Sequence, residues 1–373
     1  MTTGVSRAER GARAGWTRIA EPADDRALSL IEQHGAVGAL ALAVGGDARV
    51  PEIFRARAQR YAYGSDPVSH LEAARVVGAE VVCPGDPGWP RRVDDHPAPP
   101  ICLWVRGIPD LAGLAERSVS VVGARTSTAY GDTVATDFGS GLADRGWTVV
   151  SGAAFGIDAA AHRGALAVEG MTLAVLAGGV DRPYPAAHAA LLARIVEVGS
   201  VMAEVPPGSA PIRPRFLLRN RIIATISRGT VVVEAGLRSG SLNTARTAAE
   251  CGRPVGVVPG PVTSMMSAGC HQARRDGYAE IVTEVDEVVD LVGDLGADAA
   301  WRRSGPVHET DRLSPGDRLV LAAVPVRRAC PADAVALAAG TTVPATVAAL
   351  ARLELAGMVE RRGSDWKKVP MGA

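Results

Sequence analysis

An α/β fold with a buried parallel sheet, preceded by a small helical domain and followed by a winged helix, is what three observations predict. From Ser118 onward, seven short β-branched runs alternate with Ala-rich helical segments: S-V-S-V-V-G, W-T-V-V-S-G, T-L-A-V-L-A-G-G, G-S-V-M-A-E, G-T-V-V-V-E-A-G, P-V-G-V-V-P-G and A-E-I-V-T. Apolar runs that end near Gly and lead into a helix are the mark of βα units around a sheet covered on both faces. Before Pro84 the apolar spacing is helical, and after Leu313 three helical stretches lead into a hairpin pattern.

The elements follow in order. Residues 1–22 are rich in Gly, Ala and Arg and are expected to be frayed. A helical domain over 24–82 rests on Leu28, Leu30, Ile31, Val37, Leu40, Leu42 and Val44, interrupted at Gly35 and Gly38, with a second helical stretch from Val68 to Val77. Pro84, Pro87, Pro90, Pro97, Pro99 and Pro100 make the next stretch an extended connection, because proline removes a donor and fixes φ. The α/β domain then occupies 83–293 and closes on a helix from Val285 to Val292. Residues 293–312 read as a linker. In the domain over 313–371, helices around Leu319–Leu321, Ala332–Leu337 and Thr342–Leu355 precede a hairpin turning at Gly363. Arg361, Arg362, Lys367 and Lys368 would decorate the wing of a winged helix, which binds either DNA or protein.

Composition narrows the function. The formal net charge is +0, so the chain is no global polyanion coat, and nucleic-acid binding must come from a local patch. Cys83, Cys102, Cys251, Cys270 and Cys330 are odd in number and scattered, with no C-x-x-C. That pattern argues against a disulfide framework and against a metal site, and for a reducing compartment. No run of about 18 uncharged apolar residues and no apolar stretch behind the charged N-terminus occurs, so a cytoplasmic protein without membrane contact is expected.

The local patch is I-R-P-R-F-L-L-R-N-R-I-I-A-T-I-S-R, residues 212–228, which sets Arg213, Arg215, Arg219, Arg221 and Arg228 around Phe216. No Asp or Glu lies between Glu204 and Glu234. Guanidinium forks suit phosphate, and an aromatic among them offers a face for a base; a solvated helix face is the plainer alternative. Ligands of open parallel sheets bind beyond the strands' carboxyl ends, where Gly123, Gly152, Gly178, Gly179 and Gly240 let amides approach an anion. The first turn, V-V-G-A-R-T-S-T, is neither G-x-G-x-x-G nor a Walker loop, so no nucleotide cofactor is expected. It offers Arg125 with Thr126 and Ser127 as phosphate donors or simple caps; Ser241 follows Gly240 at a second anion-ready helix start. Ser151, Asp158 and His162 resemble hydrolytic chemistry only superficially, since no nucleophile elbow surrounds Ser151. The turns and the arginine helix should share one sheet edge, making a groove for an extended polyanion. Single strands fit it better than duplex, whose base faces are hidden.

The blocks V-V-G-A-R, V-V-S-G-x-A-x-G-I-D-x-x-A-H-x-G-A-L, G-x-D-x-x-Y-P, F-x-x-R-N-R-I-I-A and V-V-V-E-A-G-x-x-S-G-S-L-x-T-A, in that order over roughly 84–293, resemble the DprA/Smf family of bacterial DNA-processing proteins. The resemblance implies an extended Rossmann-like sheet, with a SAM-like helical domain and a winged helix compatible on either side. It also implies a non-enzymatic homodimer that binds single-stranded DNA and loads the RecA recombinase in natural transformation. By motif, Arg125 matches the family's Gly-x-Arg arginine, Phe216 its base-stacking aromatic and Arg213 the basic residue three positions earlier; Asn220 and Arg221 match the R-N-R segment. Arg215 and Arg228 are expected to be surface charge. Phe155 departs from the pattern, standing where many relatives carry a basic residue. The alternative is a nucleoside-monophosphate hydrolase, with Glu234 and Arg238 as candidate remnants of the Glu and Arg that act at the glycosidic bond.

Overall fold

The structure is a computed structural model and describes residues 4–62, 67–294 and 313–369. Two compact units divide the chain, Met1–Ala300 and Trp301–Ala373.

Four helices open the first unit: α1 (Arg7–Ile19), α2 (Asp25–Val44), α3 (Glu52–Ala62) and α4 (Pro67–Val76). The expected fraying before residue 22 gives way to α1. Its Gly11, Ala12, Ala14 and Gly15 are buried, so the small residues that suggested slack form a close-packing surface. Trp16 is fully buried, meets Phe54 edge to face at 5.8 Å and donates its indole N–H to Ala36 O at 3.2 Å. Arg10 forks onto Asp86 at 2.6 and 2.7 Å, fastening α1 to the chain beyond the helices. Among the described residues α2 is the single helix long and apolar enough to cross a membrane. It breaks at Gly35, however, and packs Ala27, Leu30, Ala36, Ala39, Leu40 and Ala43 into one core with Trp16 and Phe54.

The sheet elements follow: β1 (Glu80–Val82), β2 (Leu103–Gly107), α5 (Leu111–Glu116), β3 (Ser118–Val122), α6 (Ala129–Asp144), β4 (Thr148–Ser151), α7 (Ile157–Ala167), β5 (Thr172–Leu176), α8 (Ala189–Val198), β6 (Ser200–Ala203), α9 (Arg213–Ile226), β7 (Gly229–Val232), α10 (Gly240–Glu250), β8 (Val255–Val257), α11 (Ala268–Arg275), β9 (Glu280–Ile281) and α12 (Val285–Val292). All seven β-branched runs are strands. They form one nine-stranded sheet in the order β1-β2-β6-β5-β4-β3-β7-β8-β9, parallel from β6 to β9. Consecutive residues point to opposite faces. Val122, Val150 and Val232 pack with Ile222, Ile223 and Ile226 of α9, whereas Val121, Val149 and Val231 pack with α6, α7 and α12.

The strands the valine pattern did not announce are β1 and β2, an antiparallel pair added to the edge at β6. Between them the proline-rich connection makes one 3-10 turn, Arg91–Asp95. Trp104 of β2 is fully buried, and its indole N–H donates to Thr17 Oγ1 of α1 at 3.2 Å. Contacts therefore hold the helical segment and the sheet in one unit, with no division near residue 82.

The second unit contains α13 (Pro315–Ala323), β10 (Cys330–Pro331), α14 (Ala332–Ala339), α15 (Val343–Leu355), β11 (Val359–Arg362) and β12 (Asp365–Lys368). Its strands form an antiparallel sheet in the order β10-β12-β11, with Gly363 in the left-handed turn between β11 and β12. Val320, Leu321, Val335, Leu350, Leu353 and Trp366 fill its core.

Candidate nucleic-acid interface

From β3 the chain builds β4, β5 and β6 on one side, then returns to lay β7, β8 and β9 on the other. β3 and β7 lie side by side in parallel, Val122 opposite Val232, and their following loops diverge. Such a switch point leaves a crevice beyond the carboxyl ends of the strands. The crevice here is a cleft of about 420 Å³, lined by Gly123, Arg125 and Thr126 after β3, by Arg238, Gly240 and Ser241 at the start of α10, and by Asn220 of α9.

Its donors are prepared in place. Ser239 caps α10 by accepting from Ser241 N at 3.3 Å, and the two hydroxyls share a hydrogen bond of 2.7 Å. The start of an eleven-residue helix thus faces the cleft, an arrangement that favours an anion. Asn220 Nδ2 donates to Gly240 O at 3.3 Å, which ties α9 to that helix start. Arg125 and Arg238 are exposed and make no ion pair among the described residues. Ser127 donates to Asp132 at 2.5 Å and Thr128 caps α6 at Gly131 N, so these hydroxyls serve their own turn.

Beside the cleft, the Arg125 guanidinium lies 5.0 Å from the centroid of Phe216, and Tyr184 meets the same ring at 5.4 Å. Phe216 is half-buried and Arg213, one turn earlier, is exposed. A guanidinium, two aromatic rings and a capped helix start thus adjoin one open cleft.

The rest of α9 turns inward. Arg219 is 7% exposed and donates from one nitrogen to Gly152 O at 2.9 Å and to Val175 O, bridging the ends of β4 and β5. Burial pushes its guanidinium down to about 10. A Cβ on Gly152 would stand 2.2 Å from that guanidinium, so this glycine seats an arginine rather than an anion. Arg221 is 5% exposed and grips both carboxylate oxygens of Glu204, at 2.6 and 2.8 Å. Burial raises the Glu204 carboxyl and Arg221 pulls it back. Gly178 and Gly179 are buried beneath the 206–211 loop, with Gly179 N donating to Ser209 O at 2.9 Å. Arg215 is forked onto Glu21, and Arg228 pairs with Asp294 and Glu116. Against expectation, then, Arg221, Gly152, Gly178 and Gly179 satisfy the protein's own carboxylate, guanidinium and loop. Arg219 is among the residues lining the cleft while its guanidinium holds strand-end carbonyls, and Arg215 and Arg228, expected as surface charge, are engaged in ion pairs.

Residues 80–293 match the family model for DNA recombination-mediator protein A. The chain belongs to this family. It is 46% identical to a DprA protein of Mycobacterium tuberculosis over 314 residues, 81% of this chain and 80% of that one. To the Smf protein of Escherichia coli it is 40% identical over 267 residues, 70% and 69% of the two chains. Among solved structures, DprA of Streptococcus pneumoniae matches with a TM-score of 0.65 at 29% identity, covering 78% of this chain and all of that one. DprA of Helicobacter pylori, described for its single-stranded DNA binding mode, matches with a TM-score of 0.51 at 25% identity, covering 56% and 93%. Family members are DNA-processing proteins on a Rossmann-like sheet, and this chain shares that fold.

The residues of the two hydrolytic groupings are held in structural contacts. Ser151 donates to Val121 O at 2.6 Å, and Asp158 accepts from Gly152 N at 3.1 Å. His162 Nδ1 bonds Thr172 Oγ1 at 2.7 Å, and burial drives its imidazole down to about 3. Ser151 is also hydrogen-bonded to Asp158 and, through its backbone, to His162, so the three lie together but are buried among structural contacts. Glu234 is 2% exposed, and its two oxygens accept from Thr128 N at 2.9 Å and Thr128 Oγ1 at 2.7 Å. It anchors the start of α6 and does not line the cleft, whereas Arg238 does. No group of His, Cys, Asp and Glu suited to a metal occurs among the described residues.

Tyr184 is the residue that motif reading left without a role. Its signal was an aromatic in the turn after β5, on the same edge as Phe216. Phe155 is half exposed and packs against His188 with centroids 4.7 Å apart, so a second aromatic surface stands where a basic residue would have been.

Proposed function

We propose that the protein is a single-stranded-DNA-binding recombination mediator of the cytoplasm, without catalytic activity, that covers incoming strands and passes them to the RecA recombinase. The observation that carries this reading is the Arg125 guanidinium set against Phe216 at the mouth of the switch-point cleft. Phosphate goes to Arg125, Arg213, Arg238 and the amide at Gly240, while bases stack on Phe216 and Tyr184. Stacking needs an unpaired base, which is why a single strand is the ligand and a duplex is not. Family membership supports the mediator role, the RecA partnership and a homodimer.

The C-terminal unit, read as a winged helix, is assigned to protein contacts. A helix that reads a DNA groove carries Arg, Lys, Asn or Gln toward base edges. On α15, Val343, Val347 and Leu355 are exposed instead, and its one basic residue, Arg352, is paired with Asp317 at 2.6 Å.

Titration of the full chain with labelled oligonucleotides of varied length, at two salt concentrations, tests the central reading. Tighter binding of single strands than of matched duplex, weakening steeply with salt, is expected. Equal affinity for both forms would overturn it.

A further inference from the structure

A second basic groove is lined in part by Ile212 and Arg215 at the start of the arginine helix. Its volume is about 550 Å³, and it runs between α1, α3 and the 206–212 loop. Arg18 of α1, Arg57 and Arg60 of α3 and Arg215 of α9 line it, with Glu21 the one acidic group in the lining among the described residues. The lining carboxylate, Glu21, is already forked by Arg215, so Arg57 and Arg60 bring positive charge that the lining does not neutralise, in a chain of net charge +0.

The groove is built rather than incidental. Arg215 is fixed by its fork on Glu21 and by Ala210 O at 3.1 Å. Arg57 spends one nitrogen on Ile19 O at 2.9 Å, which holds the side chain in position and leaves the remainder of its fork for a ligand. Arg60 is exposed and carries no ion pair among the described residues. The groove adjoins the first site along α9. Ile212 and Arg215 line the second groove; Arg213 and Phe216 are their chain neighbours, and Phe216 touches Arg125 of the first cleft.

We infer that the phosphate backbone of a bound single strand, on leaving Phe216, crosses the 206–212 loop into this groove and is held there by Arg57 and Arg60, so that the N-terminal helices are part of the DNA path. The inference rests on the single-strand reading above. It makes the occupied length of DNA longer than the switch-point cleft alone would hold. Among the described residues no aromatic lines the groove, and contacts to phosphate alone are independent of sequence and sensitive to salt.

Oligothymidylates of increasing length, titrated against the full-length wild type, Arg60→Glu and Arg57→Gln/Arg60→Glu, test it. For oligomers too short to leave the first cleft, all three proteins should bind alike. For longer ones the double variant should bind roughly ten-fold more weakly, and its slope of log affinity against log salt should fall by about 1.4, two phosphates at about 0.7 each. Arg60→Glu alone, at an exposed position, should show part of the loss and guards against misfolding of the double variant. If both variants retain the wild-type affinity and slope at every length, the groove is no part of the DNA path although the first site stands. A wild type that binds no oligomer at all overturns both.

Discussion

The two halves of α9 carry the same residue type to opposite ends. Arg213 at the outer turn is exposed beside Phe216, while Arg219 and Arg221 of the inner turns are 7% and 5% exposed and spent on Gly152 O, Val175 O and Glu204. A count of arginines along a helix is therefore no measure of the charge it offers a ligand. In this helix the inner guanidiniums hold strand ends together so that the outer turn has a fixed place to stand.

The largest effect should come from breaking the inner half. Glu204→Ala would strand a buried guanidinium and should destabilise the fold by about 3–5 kcal/mol in urea denaturation, whereas Glu204→Met/Arg221→Met should recover most of that loss. A single variant as stable as wild type would mean that Arg221 escapes to solvent and that the inner half braces nothing. Next comes the outer half. Phe216→Ala should weaken single-strand binding by about 1–3 kcal/mol with little change in the urea midpoint, because the ring is half exposed. Arg213→Ala should have the smallest effect, lowering the salt slope of binding by about 0.7 without any preference among oligonucleotide sequences. A sequence-dependent loss there would assign Arg213 to a base edge rather than to phosphate.

Much of this was legible in the letters. The seven parallel strands announce themselves because strands buried on both faces are nearly continuous Val and Ala, punctuated by glycine at the turn. Their common edge, and hence the meeting of Arg125 with the arginine helix, followed from that pattern. The division within α9 was harder, since one letter serves both fates. A trace of it exists: Arg219 precedes Ile222, Ile223 and Ile226 by three, four and seven residues, which places it on the buried stripe. Glycine misled in the same way. Gly152 and Gly179 mark close approach, as expected, but what approaches is Arg219 and the 206–211 loop. Composition hid α1 altogether, because the Gly and Ala that suggest looseness in a sequence are what allow tight packing around Trp16.

Trp104 and Asp86 bear on how such a chain can be taken apart or recombined. An aromatic ring of this kind removes about 150–250 Å² from water, and here its cover is α1, a helix nearly ninety positions upstream. The front helices are consequently no detachable cassette. A chain begun at residue 83 would lose β1, leave the Trp104 indole without Thr17 and leave Asp86 without Arg10. Any graft of a foreign N-terminal module onto this sheet would have to bring a hydroxyl for the one and a guanidinium for the other.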